Sequence, residues 1–454
     1  LSGRNPRRDA FAILRRVEDA GAYASALLES RAGAYDDPRD LALLHEIVLG
    51  VLRRRRALDH AIARIASRDT GAIEPPVLTA LRVGAYALLF LDRVPDFAAV
   101  DTAVALVKDA GRAQAAGFVN GVLRAIARDR DALLPADPDR GDVEGLALAH
   151  SHPIWWTRRV VSRLGWERAS ALLASGNEPA ATTLAPWEPE GRAEDLAARL
   201  ATEGVATAPC TFVPGALRVV SGVPQRTPAF REGRFFIQDE ASQLAVAMFG
   251  ERVGPYAADL CAAPGGKALG LARRASKGSL VVAADRNARR LTRLNGSIAR
   301  LGATGIALVA LDATTAARTL AASFDDVLVD APCSGTGTLR RHPEIRWRLA
   351  EEDLPRHAER QGRILRGAAP LVAPGARLVY SVCSMEPEEG EEVVASFLSE
   401  HPEFRSEDPR ENLPAAAASL VAPDLSLRTT PLDGGMDGFF AACLRRADGR
   451  SGRL

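Results

Sequence analysis

The stretch Asp259-Leu260-Cys261-Ala262-Ala263-Pro264-Gly265-Gly266-Lys267 decides the fold. An apolar strand, expected at 257–261, breaks here into a Pro-Gly-Gly turn that opens a helix. Glycine lets the backbone come close to a ligand, and the first helical N–H groups point at its anionic part. Further apolar strands are expected at 280–284, 306–311, 327–329 and 377–382. Arginine-studded helical stretches such as Asn287 to Leu301 separate them. This alternation implies a mostly parallel sheet covered on both faces. Ligands of such sheets bind outside the carboxyl ends of the strands.

Acids stand at those ends. Asp285 closes the run 280–284, nineteen residues after Gly266, while Asp312 and Asp330 close the third and fourth strands. An acid about 20 residues past a glycine turn suits a ribose diol. Four strand-end carboxylates, counting Asp259, suit a nucleoside cofactor that carries positive charge. S-adenosylmethionine, a sulfonium, fits; a pyrophosphate dinucleotide would want fewer acids and a G-x-G-x-x-G loop, which is absent. A single strand-end Asp often only caps a helix, and Asp259 keeps that structural reading.

Two cysteines lie at strand mouths fifty residues apart: Cys333 in Val-Leu-Val-Asp-Ala-Pro-Cys-Ser-Gly-Thr-Gly (327–337), and Cys383 in Leu-Val-Tyr-Ser-Val-Cys-Ser (378–384). A sulfur nucleophile beside a nucleotide-type cofactor loop suggests covalent attack on an electrophilic ring. Free cysteines are commonly buried hydrophobes, the reading taken for Cys210 and Cys443. The acidic run Glu386 to Glu392, with Pro387, reads as the first turn of a helix.

At 454 residues the chain has room for about three domains of ~150 residues. Apolar content of 47% and charged content of 25% are those of an ordinary soluble protein. A net charge of +1 means that any nucleic-acid surface must be a local patch. All but three of the 58 basic residues are arginine, which sets Lys267 apart. Five cysteines, an odd number, do not make a disulfide framework. No Cys/His spacing suits zinc, so no metal is expected. The basic start, Leu1-Ser2-Gly3-Arg4, precedes an apolar run too short for a signal peptide, and no stretch approaches the ~20 apolar residues that span a bilayer. A reduced, cytoplasmic protein is expected. A chain that begins at Leu1 suggests a non-methionine start codon or a trimmed N-terminus.

Residues 1–135 read as helix after helix, with stripes such as Leu43, Leu44, Ile47, Val48, Val51 and Leu52. Residues 134–142 read as a linker, 145–232 as a small α/β connector, and 233–447 as the strand–helix domain.

Longer motifs carry a resemblance. Phe236-Ile237-Gln238-Asp239-Glu240-Ala241-Ser242, Cys261 to Lys267, Asp330 to Gly335, Arg341-His342-Pro343-Glu344-Ile345-Arg346-Trp347 and Asp433 to Phe440 resemble the bacterial RNA 5-methylcytosine methyltransferases of the Sun/RsmB (NOL/NSUN) family. The N-terminal third is similar to the NusB-type helical RNA-binding module, through Asp40 to Glu46 and Phe118 to Arg124. The combination resembles the branch that modifies 16S rRNA.

The resemblance implies a NusB-like helical domain, a connector and a Rossmann-like class I S-adenosylmethionine-dependent domain. Cys261, Ala262, Ala263, Pro264, Gly265, Gly266 and Lys267 would hold the methionine end of the cofactor. Asp285 would take the ribose, Asp312 the adenine side, and Asp330 the region between cofactor and base. Cys383 would add to carbon 6 of cytosine, making carbon 5 nucleophilic, and Cys333 would assist release. Asp330, protonated or paired, would hydrogen-bond the ring nitrogen. Arg340, Arg341, Arg346 and Arg348 with Trp347 would hold phosphates and stack a displaced base, whereas Arg53 to Arg56 reads as a solvated face. Two departures stand out. Val382 occupies the position where many members have Thr, and Thr182-Thr183-Leu184-Ala185-Pro186 replaces an Arg-x-Asn element. The rivals are the same chemistry on tRNA, or a non-catalytic RNA-binding antitermination-type factor.

Overall fold

A computed structural model describes residues 5–92, 94–187 and 192–448. The chain forms two compact units, Leu1–Pro179 with Leu339–Glu351, and Ala180–Thr338 with Glu352–Leu454.

The first unit is helical, and local signals explain its elements. The long helix Pro38–Ala66 starts at Asp37, whose side chain accepts from Arg39 N at 2.8 Å, with Pro38 in the first turn. Its apolar stripe buries Leu44, Ile47, Val48, Val51 and Leu52. The helix Pro75–Phe90 is apolar on nearly every side and runs through the core. Gly84 lets it approach the helix Ala116–Arg128, for a Cβ there would come within 2.5 Å of Leu123 Cδ1. Arg82, buried in this helix, donates to Asp59 at 2.6 and 2.8 Å and to Glu18.

The two units divide at Pro179, inside the connector expected at 145–232. The helices Val143–Ala149, Ile154–Leu164 and Trp166–Ser175 belong with the helical unit. Ser151 Oγ accepts from Arg56 N at 2.9 Å, and Asn177 donates to His150 O at 2.8 Å. Such tertiary bonds are invisible in a polar stretch like 134–142.

In the second unit, β1 (Thr183–Pro186), β2 (Ala206–Pro209), β3 (Leu217–Ser221) and β4 (Phe235–Ile237) form an antiparallel sheet ordered β2-β3-β1-β4. The larger sheet has five parallel strands: β5 (Tyr256–Asp259), β6 (Leu280–Asp285), β7 (Ile306–Ala310), β8 (Phe324–Asp330) and β9 (Val372–Val382). Three more strands, β10 (Phe404–Ser406), β11 (Leu427–Thr429) and β12 (Phe439–Arg446), add an antiparallel edge. The order is β10-β12-β9-β8-β5-β6-β7, with β11 on β12. Successive residues alternate between two cores: Ala258, Val327, Val329, Leu378 and Tyr380 on one face, and Ala257, Leu328, Val379 and Ala441 on the other. Strand order reverses at β5, between β6 and β8, and a Rossmann-like sheet opens its crevice there. No helix among the described residues is long and apolar enough to cross a membrane.

Candidate active site

The turn after β5 is built for close approach. Gly265 has φ +124°, and a Cβ there would meet Leu294 Cδ1 at 2.3 Å. The helix Gly266–Arg274 follows directly. Asp285, at the end of β6, accepts from Ala263 N at 3.2 Å and from Asn287 N at 2.8 Å. Arg290 Nη1 also lies 3.6 Å from Asp285 Oδ2. Asp259 Oδ1 accepts from Cys261 N at 3.2 Å, in keeping with a structural role, but its fully buried Oδ2 has no protein partner. Burial, and then the charge of Asp330, push the Asp259 carboxyl up to about 7. Asp312 is exposed and caps the following turn, accepting from Thr314 N at 2.9 Å and Thr314 Oγ1 at 2.7 Å, bonds that hold its carboxyl below the ordinary value.

These residues fit S-adenosylmethionine. A glycine turn, a buried carboxylate oxygen without a partner and a second acid on the next strand suit a ribose and a cationic chain. Cys261 is packed beside this turn, and burial raises its thiol far above the ordinary range.

The ends of β8 and β9 lie side by side because the strands pair in parallel, with Asp330 opposite Ser381. Cys333 Sγ is thereby 3.2 Å from Cys383 Sγ. Its hydrogen bond to Cys383, and then burial, push the Cys333 thiol well up. Asp330 accepts from Lys267 Nζ at 2.8 Å and Ser381 Oγ at 2.9 Å. Lys267 also reaches Ser242 Oγ at 3.3 Å and lies 5.0 Å from the Phe439 ring centre. Burial works against the Lys267 charge, but Asp330 outweighs it and holds the ammonium above its ordinary value. Lys267 thus leaves the cofactor turn and faces the cysteines' end of the sheet.

A carboxylate read as bland takes part. The helix begins at Glu391, so Glu391 and Glu392 do occupy a first turn. Glu386 and Glu389 lie before it and are buried. Glu389 joins Ser334 to Ser384, the residues that follow the two cysteines. Its signal in the sequence was only its distance from Cys383.

The arginine–aromatic cluster needs correction. Leu339–Glu351 belongs to the helical unit, where Arg346 is buried and donates to Arg53 O and Ser151 O, each at 3.2 Å, to Asn177 Oδ1 at 2.9 Å and to Gly176 O. Trp347 donates to Leu52 O at 2.7 Å. Arg348 caps a helix end through Gly21 O at 2.9 Å and Val17 O and Ala22 O at 2.6 Å. Arg340 is buried, and its carbonyl accepts from Arg53 at 2.9 Å. Arg346 is therefore buried and engaged within the helical unit, while Trp347 and Arg348 each give N–H donors to backbone carbonyls there. Arg341 is half-buried. Arg53, expected on a solvated face, is buried as well. Among the described residues, no group of three or more His, Cys, Asp or Glu is arranged to hold a metal ion.

Comparison with known proteins accords with this geometry. Residues 252–445 match the family described as 16S rRNA methyltransferase RsmB/F, residues 4–128 the NusB family, and residues 152–226 the ferredoxin-like domain of RsmF/B-like methyltransferases. The chain is 33% identical over 441 residues to the Bacillus subtilis protein named "Probable ribosomal RNA small subunit methyltransferase B", covering 96% of this chain and 98% of that one. It is 31% identical over 442 residues to ribosomal RNA small subunit methyltransferase B of Pseudomonas putida, covering 97% and 98%. The chain belongs to the RsmB/F family of rRNA methyltransferases. A solved structure titled "Crystal Structure of PH0851" matches with a TM-score of 0.80 at 25% identity, covering 98% of this chain and all of that one. NSun6 from Pyrococcus horikoshii, solved with SFG, shares the fold over 64% of this chain and 97% of its own, at a TM-score of 0.57 and 19% identity. As an RsmB/F member, the protein is an S-adenosylmethionine-dependent rRNA methyltransferase with a NusB-like helical domain and a Rossmann-like catalytic domain.

Proposed function

We propose that this methyltransferase modifies carbon 5 of a cytosine in 16S rRNA through a covalent bond between Cys383 and carbon 6. The observation that carries the reading is the 3.2 Å approach of Cys333 and Cys383 beside the Lys267–Asp330 pair. Carbon 5 is too weak a nucleophile to take a methyl group unaided. Addition of the Cys383 thiolate at carbon 6 makes an enamine whose carbon 5 can attack. Asp330, aligned by Lys267 and Ser381, takes the proton it shares with Lys267 and donates it to the ring nitrogen, where negative charge develops during addition. Bound S-adenosylmethionine supplies an electrophilic methyl group. Asp285, the 261–266 turn and the free oxygen of Asp259 hold it. A base takes the carbon 5 proton, β-elimination breaks the bond from carbon 6 to Cys383, and Cys333, next to that bond, assists the release.

The target cytosine must be unpaired or flipped out of a stack. Arg289 and Arg293 replace the buried arginines: both are exposed, four residues apart on the helix Ala288–Leu301 that follows Asp285. Bisulfite mapping of rRNA and tRNA from cells with and without the gene tests the reading. Loss of one 16S position is expected, and a loss confined to tRNA would overturn the substrate assignment.

A further inference from the structure

Beyond Asp330 and Ser381 the β8–β9 ladder stops, yet the sulfurs that must act on one base lie past that point. The last backbone links are Ala331 N to Ser381 O at 2.9 Å and Gly337 N to Cys383 O at 3.1 Å. Side chains carry the rest: Ser334 Oγ and Thr336 Oγ1 each lie 3.2 Å from Ser384 Oγ, Met385 N donates to Thr336 Oγ1 at 3.0 Å, and Glu389 ties both loops to a third segment. Its side chain is fully buried, and its Oε1 accepts from Ser334 N and Gln361 Nε2, both at 2.8 Å. Its Oε2 accepts from Ser384 Oγ at 2.5 Å and from Ser334 Oγ. Tyr380, on β9, donates to Glu389 O at 2.6 Å and anchors its backbone.

We propose that Glu389 is a positioning residue that clasps the Cys333 loop to the Cys383 loop and so sets the distance between the two sulfurs. The inference deepens the two-cysteine reading and rests on it. A carboxylate is the acceptor-only group that can satisfy four donors at once. Those donors come from three segments: Ser334 after Cys333, Ser384 after Cys383, and Gln361 on the helix Leu354–Ala368. Gln361 Nε2 also reaches Pro332 O at 3.2 Å, which steadies the residue before Cys333. Glutamine at 389 can keep Oε1 toward the two N–H donors and turn its amide to the serine hydroxyls, which accept as well as donate. Alanine removes all four bonds to Glu389 and leaves only the direct Ser334, Thr336 and Ser384 contacts, and aspartate, one methylene shorter, does not reach both serines.

Cross-linking of the full-length protein tests this without use of the methylation reaction. Diamide, a diazene oxidant, takes one hydrogen from each thiol and becomes a hydrazine as a Cys333–Cys383 disulfide forms. Peptide mass mapping under non-reducing conditions reads the yield. In Glu389→Ala the cross-linking rate is expected to fall at least tenfold, with S-adenosylmethionine affinity within twofold of the parent. Glu389→Gln should recover most of the rate. In single-turnover methylation, kcat should fall in the same order while KM for RNA holds. Parental cross-linking in Glu389→Ala would overturn the proposal. If that variant fails to bind cofactor, Ser384→Ala decides: slower cross-linking supports the clasp, and an unchanged rate overturns it. An absence of 5-methylcytosine from the parent's product would count against the proposed reaction alone, because the cross-link reports the clasp either way.

Discussion

Cys333 and Cys383 are fifty residues apart in sequence, and their sulfurs are 3.2 Å apart in the fold. β8 and β9, parallel neighbours that end at the same level, bring the two cysteine loops side by side. Two thiols so close cannot share one task at one moment. The hydrogen bond between them, and then burial, push the Cys333 thiol well up.

Cysteine variants should therefore part company. Cys383→Ala should form neither methylated RNA nor a covalent adduct. Cys333→Ala should still attack and transfer the methyl group but stall at elimination, leaving protein bonded to methylated RNA. A denaturing gel shows this adduct as a slow-migrating band. An adduct in Cys383→Ala and none in Cys333→Ala would reverse the roles, and full activity in both would remove the covalent route.

Asp285 offers a second test, in cofactor binding. Loss of its carboxylate removes charge-assisted bonds worth about 1.5–3 kcal/mol each. Asp285→Ala should weaken S-adenosylmethionine binding at least tenfold by calorimetry, with circular dichroism unchanged. Equal affinity would place the ribose elsewhere.

The sequence made some of this legible and hid the rest for identifiable reasons. The parallel strands were readable because burial on both faces turns them into apolar runs: 280–284 became Leu280–Asp285, and 377–382 lies within Val372–Val382. The short β10 and β11, three residues each, are too brief for any periodicity. Strand-end acids were legible as a group but not in their separate duties. Asp312 uses Oδ1 for a cap, while Asp259, assigned to structure alone, keeps one oxygen without a partner. Arg346 and Glu389 were misread together, because a charged letter does not reveal burial when its partners come from distant segments.

Asp259 should leave a mark on pH dependence. Its carboxyl is pushed up to about 7 by burial and by Asp330, against ~3.9 in an unfolded chain. The folded state then binds a proton that the unfolded state has lost between those values. Its contribution to stability is complete below pH ~4 and declines as pH rises through about 7. Asp259→Asn should flatten the melting temperature between pH 5 and 8. Cationic S-adenosylmethionine favours the ionised form, so binding near pH 6.5 should release a proton, read by calorimetry in buffers of different ionisation enthalpy. An Asn variant with the parent's pH slope would mean that Asp259 is already ionised.

The arginines provide the last contrast, between charge that builds the fold and charge that meets RNA. Arg346→Met leaves the carbonyls of Arg53, Ser151 and Gly176 without their donor, and each buried acceptor so stranded costs about 1–3 kcal/mol. The variant should melt several degrees lower, while RNA binding by the folded fraction keeps its salt dependence. Arg289→Ala and Arg293→Ala, both at exposed positions, should leave the melting temperature alone. Each should lower the log–log slope of RNA affinity against salt by about 0.7–0.9, the value for one lost phosphate contact. Filter binding across a salt series reads that slope. A shallower slope in Arg346→Met, with none in Arg289→Ala or Arg293→Ala, would return RNA contact to the 339–351 segment and remove it from the helix after Asp285.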